Sequence, residues 1–164
     1  MNLRAGLRAW WDRLRADRQS FNRRNTDEMS VIHANYFSIY HGVPVLRTKS
    51  LRSGSFGIIF LRHAIDACRP EDAADELRHE YGHILQLRQL GLIRFALCIG
   101  IASWRQWGEG EYYQRPWEIT ADLLGGVITR QPPKHAVEAG LRYLEQSRHH
   151  GIRTLNAARK GRKI

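Results

Sequence analysis

The sequence has few cysteines and no long apolar run. Only two of its 164 residues are cysteine, Cys68 and Cys98, too few for the disulfide framework of a small secreted domain. No stretch reaches the roughly 20 consecutive apolar residues that a membrane-spanning helix requires. Residues 1–24 lack the continuous apolar segment of a secretory signal. We therefore expect a cytoplasmic protein, free or associated with a membrane surface, with one hydrophobic core.

Acidic residues are scarce at both ends of the chain, whose net charge is +10. Residues 1–24 hold seven arginines against Asp12 and Asp17, and residues 142–164 hold seven Lys or Arg against Glu145. The middle is nearly neutral. Basic ends attract phosphate-rich partners, which are anionic lipids or nucleic acids. The alternative is that the ends are disordered and only add solubility.

Residues 3–18 have the pattern of a basic amphipathic helix. Apolar residues recur at helical spacing on one face, and arginines fill the rest. Such a pattern is typical of a helix that lies on a membrane surface. Two alternatives stay open for this segment: packing on the protein's own core, or peripheral contact with a membrane. Nucleic acid is the less favoured partner. The apolar residues are Leu3, Leu7, Trp10, Trp11 and Leu14.

β-forming residues and turn residues alternate in the first half of the chain. Residues 20–30 are polar and predict a connection. Residues 31–48 predict two short strands or a hairpin, with a turn at His41-Gly42. The compact apolar run 56–61 predicts a further strand.

Helix boundaries are marked by proline and glycine in the second half. Pro70, followed by Glu71 and Asp72, predicts a helix that ends at Gly91. Residues 90–104 are mostly apolar but too few to cross a bilayer, which predicts a buried or interfacial segment. A second helix is predicted from Pro116 to Gly125-Gly126, and a last one over 134–147.

These elements predict an α+β fold, with a short sheet packed on the helix that starts at Pro70 and a mainly helical second half. Residues 25–147 would form one domain. Residues 1–24 would form the basic amphipathic N-terminal helix, and residues 148–164 a basic C-terminal tail.

The run His79-Glu80-Tyr81-Gly82-His83 is an HExxH motif. Residues four apart lie almost above one another on a helix, so His79 and His83 can direct two imidazoles at one metal ion. Zinc held in this way activates a water molecule near neutral pH. Glu80 lies one step around the helix, where it can take a proton from that water. We predict that Glu80 is the catalytic base.

A catalytic zinc ion needs a third protein ligand and an open fourth position. Position 89 is Gln89, which excludes the extended metzincin pattern, whose third ligand is a histidine at that spacing. Glu118 in the next predicted helix can be the third ligand. Asp122, one turn further on, can accept a hydrogen bond from the ring N–H of a zinc-bound histidine, and we predict that this histidine is His79.

The HEYGH motif followed by Glu118 and Asp122 resembles the gluzincins, zinc peptidases in which a second helix carries E-x-x-x-D. The chain is also similar to the minigluzincins and to compact bacterial HEYGHxxQ proteins over about residues 30–130. The resemblance implies a zincin-like domain that hydrolyses peptide bonds in a peptide or protein substrate. It also implies that strand 56–61 is the edge of the sheet, where an extended substrate would pair.

The residue that would stabilise the oxyanion is not identified by the motif. Four residues are candidates by chemical type alone, namely His41, Tyr112, Tyr113 and Arg115. If no such donor exists, the alternative function is a latent or inactive zincin-like metalloprotein that binds a membrane or a protein partner.

Overall fold

The computed structural model describes residues 25–34, 36–49, 52–105 and 112–160. The helix predicted at 3–18 lies outside these residues. The described residues form two units: one contains residues up to Gly54 together with Ile58–Leu77, and the other contains Ser55–Gly57 together with the residues from Arg78 onward. Both helices and a four-stranded sheet are present, which confirms the predicted α+β class.

The first unit contains a mixed sheet with the strand order β1-β2-β4-β3. Its elements are α1 (Asn25–Ile32), β1 (Phe37–Tyr40), β2 (Val43–Thr48), β3 (Gly54–Ser55), β4 (Ile59–Arg62) and a 3-10 helix (His63–Ala67). Strands β1 and β2 form the predicted antiparallel hairpin, with Tyr40 opposite Val43. Strand β4 runs parallel to β2, and Val45 pairs with Ile59. Both of these paired side chains are buried in the core.

Two predictions are wrong: a connection up to residue 30 followed directly by the first strand, and an edge strand over residues 56–61. Residues 25–32 form a helix, because Val31 and Ile32 are buried core residues of α1 and the hydroxyl of Tyr40 donates to Glu28 Oε1 at 2.8 Å. The predicted strand 56–61 starts at Ile59, since Gly57 has a φ of 73° that interrupts extended backbone. It also lies between β2 and β3 and is not the edge of the sheet.

The long helix α2 (Pro70–Leu90) confirms the predicted boundaries. Its first turn carries Glu71 and Asp72, which favour the helix dipole. After Leu90, Gly91 adopts a φ of 74° and donates its N–H to Leu87 O at 2.9 Å. In the first unit, Arg62 of β4 holds the beginning of α2 through three hydrogen bonds to Glu76: Nε donates to Oε1 at 2.9 Å and to Oε2 at 3.2 Å, and Nη2 donates to Oε2 at 2.8 Å.

The second unit is helical. Beyond α2 it contains α3 (Leu92–Phe95), a π-helical turn (Ala96–Gly100), α4 (Ile101–Arg105), a 3-10 helix (Tyr112–Gln114), α5 (Pro116–Gly125) and α6 (Lys134–Lys160). The predicted start and end of α5 are confirmed, with Gly126 in the left-handed conformation. Helix α6 continues beyond the predicted end at 147, because good helix formers dominate residues 148–160. In the described part of the chain, no helix has the length and apolarity to cross a bilayer.

One hydrophobic cluster joins the helices of the second unit. It consists of Leu90, Phe95, Ile99, Trp117 and Leu144, which come from α2, the segment after it, α5 and α6. Tyr143 packs its ring against Trp117, with 5.6 Å between the ring centroids. The cluster therefore holds α5 against the helices that precede and follow it in the sequence.

Helices α2 and α5 approach each other through glycine. A Cβ atom on Gly82 would lie 1.9 Å from the carbonyl oxygen of Ala121, and one on Gly125 would lie 1.9 Å from the carbonyl oxygen of Arg78. Both contacts are backbone against backbone, so neither can be relieved by a side-chain rotation. Glycine at these two positions lets the helices lie closer than any other residue would allow.

We predict that Gly82→Ala destabilises the protein by about 2 kcal/mol or more, because the helices must separate to admit the new methyl group. Urea denaturation measures this change. Gly100→Ala is the matched control, since the nearest atom to its added Cβ is 3.9 Å away. We expect the control to stay within about 1 kcal/mol of wild type. Equal stability of the two variants would contradict the close helix contact.

Candidate metal centre

His79, His83 and Glu118 bring one ligand atom each to a common point. His79 and His83 lie one turn apart on α2, and Glu118 lies in the first turn of α5. Glu118 Oε2 is 3.1 Å from His79 Nε2 and 3.3 Å from His83 Nε2. The three ligand atoms lie within 4.8 Å of one another and could hold a metal ion. The two helices therefore converge as the sequence predicted.

The tautomer of His83 is fixed by Gln86. The side-chain amide of Gln86 donates from Nε2 to the backbone oxygen of Trp117 and to the hydroxyl of Thr120, both at 2.7 Å. Its Oε1 must then face the other way, toward His83 Nδ1 at 2.7 Å. An amide oxygen only accepts, so His83 carries its proton on Nδ1 and leaves Nε2 as a lone pair.

The tautomer of His79 is fixed by Asp122, as the sequence predicted. Asp122 Oδ1 accepts from His79 Nδ1 at 2.6 Å. Arg130 holds the same carboxylate with two hydrogen bonds, from Nη2 to Oδ1 at 2.7 Å and from Nε to Oδ2 at 2.9 Å. This paired geometry fixes the orientation of the Asp122 carboxylate. In the neutral imidazole of His79, with its proton on Nδ1, Nε2 is therefore also a lone pair.

Three electron-rich atoms thus face one another in the interior. In a tetrahedral zinc site with bonds of about 2.0–2.1 Å, adjacent ligand atoms lie roughly 3.3 Å apart. The distances from Glu118 Oε2 to the two Nε2 atoms, 3.1 and 3.3 Å, match that spacing. These three atoms repel one another electrostatically unless a cation lies between them.

The Glu118 carboxylate is held from its other side. Ser103 donates from its hydroxyl to Oε1 at 2.9 Å. Oε2 is buried and receives no hydrogen bond of acceptable geometry, although it lies at ion-pair distance from both histidines. A buried carboxylate oxygen without a donor is costly. A metal ion bound to Oε2 would remove that cost, so the residues fit a metal ligand set.

Burial and charge both act on the ionisable groups. Burial alone would lower the pKa of His79, but its hydrogen bond to Asp122, the nearby Glu118 carboxylate and the charge of Glu80 raise it from 6.5 to about 10. Burial alone would raise the pKa of Glu118, but the two histidines hold it well below its usual range. Without a metal, His79 therefore takes up a proton that a bound metal ion must displace.

Glu80 lies beside these groups without being bonded to them. Its side chain is buried, and Oε2 has no hydrogen-bond partner. Burial is the largest effect on its pKa, which rises above the usual value although the charges of both histidines oppose the change. The hydroxyl of Ser55 donates to the backbone oxygen of Glu80 at 2.9 Å. The result is a desolvated carboxylate beside the candidate metal.

Comparisons with protein-family models, curated proteins and solved structures found no match for this chain. The interpretation of the site depends on its own geometry. That geometry brings together every predicted ligand, the predicted base and the predicted second carboxylate: His79, His83, Glu118, Glu80 and Asp122.

The four candidates for the oxyanion donor are placed differently. Tyr113 lies edge-on to His79, with 5.7 Å between ring centroids, and the guanidinium of Arg130 covers its ring at 4.5 Å. Arg115 precedes α5 and lies 5.8 Å from the Trp117 ring. His41 lies in the β1–β2 turn of the first unit. The side chain of Tyr112 is outside the described part of the structure.

Three functional contributions were missed by sequence reasoning. The pattern indicated neither the hydrogen bond from His83 to Gln86, nor the one from Ser103 to Glu118, nor the contact of Gly82 with α5. A signal existed for Gln86, since a polar residue three positions after His83 lies on the same helix face. It is completely buried, at 0% exposure.

We predict that Gln86→Leu lowers zinc affinity about 10- to 100-fold, because His83 Nδ1 loses the acceptor that fixes its tautomer. Competition with a chromophoric chelator measures the dissociation constant. Gln89→Leu, on an exposed position of the same helix, is the control and should keep wild-type affinity. Unchanged affinity in the Gln86 variant would show that the amide does not orient the ligand.

Proposed function

We propose that this protein is a zinc-dependent peptidase of the gluzincin type, in which His79, His83 and Glu118 bind zinc and Glu80 is the general base. The observation that carries the proposal is the convergence of two Nε2 lone pairs on a buried carboxylate oxygen that has no donor. A second buried carboxylate with an unpartnered oxygen, that of Glu80, stands beside them.

Zinc is the favoured metal because of the chemistry of the donors. Two neutral imidazoles and one carboxylate suit zinc, whereas calcium and magnesium prefer sites built entirely of oxygen. Three protein ligands leave one coordination position open, as catalytic zinc sites do. When bound, zinc would supply the positive charge that makes a water molecule acidic near neutral pH.

Glu80 performs the proton transfers in this proposal. Its unpartnered Oε2 takes a proton from the attacking water and returns it to the nitrogen of the leaving amine. Burial raises its pKa, which makes the carboxylate a stronger base than an exposed glutamate. Asp122 and Gln86 hold the two imidazoles in place while this happens, since each accepts from an Nδ1 proton.

Aromatic side chains flank both histidines. Tyr113 is edge-on to His79, and Phe95 is 6.4 Å from His83, measured between ring centroids. Phe56, which is exposed, lies 6.1 Å from Phe95. Ser55, at the end of the edge strand β3, is tied to the backbone of Glu80. These features support an extended peptide substrate with apolar side chains next to the cleaved bond.

We predict that Glu80→Gln keeps one zinc ion per chain but lowers peptide cleavage by about 100-fold or more, because a neutral amide cannot take the proton. Glu118→Ala should lose the zinc ion as well. Metal analysis and cleavage of a fluorogenic peptide library measure the two effects. Glu138→Gln, an exposed change on α6, is the control and should alter neither.

Zinc-loaded wild type that cleaves no peptide in the library would favour the alternative, a latent metalloprotein. Retained cleavage in Glu80→Gln would remove Glu80 from the mechanism.

We also predict that Tyr113→Phe lowers kcat by about 100-fold while KM changes little, if the phenol stabilises the oxyanion. Of the candidates whose side chains are described, Tyr113 contacts a proposed ligand through its ring. Steady-state kinetics measure both constants. If Tyr113→Phe keeps the wild-type kcat, the phenol does not stabilise the oxyanion, and the ring only lines the cleft.

A further inference from the structure

The helical segment 92–105 presents two rows of residues on opposite sides. One row, Phe95, Ile99 and Ser103, faces the interior: the first two belong to the hydrophobic cluster and Ser103 donates to Glu118. The other row is offset by two residues, which is a rotation of about 200° on a helix. The π-helical turn Ala96–Gly100 widens the helix, so a four-residue spacing comes closer to one full turn.

The outer row is aliphatic throughout. Between residues 92 and 103 the exposed side chains are Leu92 at 58%, Ile93 at 74%, Leu97 at 55% and Ile101 at 38%. A helix at a water-facing surface normally carries polar residues there. We call these four residues the aliphatic face. Contiguous exposed apolar side chains of this kind mark an interaction surface.

The charged residues of the segment that carries the aliphatic face favour an anionic partner. From Tyr81 to Gly108 the sequence contains no aspartate or glutamate, whereas Arg88, Arg94 and Arg105 fall within the same stretch. An exposed apolar surface in water is normally surrounded by both charge signs. An exposed helical segment that holds leucine, isoleucine and arginine but no acid in its own sequence is suited to the boundary between lipid headgroups and acyl chains.

We propose that the aliphatic face docks on an anionic lipid bilayer, with Ile93 and Leu97 entering the acyl boundary and arginine side chains meeting the lipid phosphates. The short apolar row gives shallow, one-sided insertion. Arginine can keep its charged end in the headgroup layer while its stem lies along apolar surface. The overall charge of +10 adds a long-range attraction to the same surface.

The docking surface is separate from the proposed chemistry. Ile93, Leu97 and Ile101 belong to the outer row, whereas Ser103, on the inner row, touches the proposed metal ligand Glu118. A charge placed at Ile93 or Leu97 therefore leaves the metal ligands in place. The proposal does not rest on peptidase activity, and either one can fail without the other.

Vesicle flotation with the full chain tests the proposal. The vesicles are phosphatidylcholine alone or phosphatidylcholine mixed with phosphatidylglycerol. The double variant Ile93→Glu/Leu97→Glu is compared with Ile39→Glu/Ile128→Glu, which introduces the same charge at exposed isoleucines elsewhere. We expect binding to the anionic vesicles to fall about tenfold or more in the first variant and to be largely kept in the second.

Three results would overturn the proposal. Wild type that binds neither kind of vesicle is one. Equal binding by wild type and both variants is another, since it would place the contact elsewhere, for example at residues 3–18. A wild-type dimer that becomes monomeric in the Ile93/Leu97 variant, with no vesicle binding by either, would assign the face to a second copy of the chain. Circular dichroism and thermal unfolding verify that each variant folds.

Discussion

The backbone contact between α2 and α5 is the constraint on which the candidate centre depends. His79 and His83 belong to one helix and Glu118 to the other, so the distance between the helices sets the distance between the ligands. A carbonyl of α5 lies where a Cβ of Gly82 would be, and a carbonyl of α2 lies where a Cβ of Gly125 would be. The short glutamate side chain can reach both imidazoles because no side chain separates the two helices.

Hydrogen bonds on the side away from the candidate metal position then orient each proposed ligand. Gln86 links His83 to the backbone of α5, and Asp122 links His79 to Arg130. Ser103 holds the far oxygen of Glu118 from the preceding segment. Every ligand therefore has its orientation set by a residue on a different turn or a different helix. A site supported in this way loses little entropy when a metal ion binds, because the side chains are already ordered.

Local rules explain which parts of this arrangement the sequence predicts. Helical spacing places His79 beside His83 and Glu118 one turn before Asp122, and proline and glycine mark the ends of α2 and α5. The amide of Gln86 could not be oriented in advance, since its partner, the carbonyl of Trp117, lies 31 residues away.

The errors have the same origin. Helix α1 is short and mostly polar, and its burial depends on Tyr40 bonding to Glu28 from a strand. The position of β4 inside the sheet depends on its parallel pairing with β2, for which no short-range pattern exists. The two alternatives for residues 3–18 fall outside the described residues and stay open.

Electroneutrality follows from the side chains already named. At the candidate centre, Glu80, Glu118 and Asp122 bring three carboxyl groups together, and Arg130 brings one guanidinium group. A doubly charged cation balances the two extra carboxylates, whereas a centre without a metal ion balances them by taking up protons. A related chain whose centre held no metal ion would therefore tend to replace one of these acids at the same time. Retention of all three acids beside the arginine is accordingly a mark by which metal-binding related chains could be recognised.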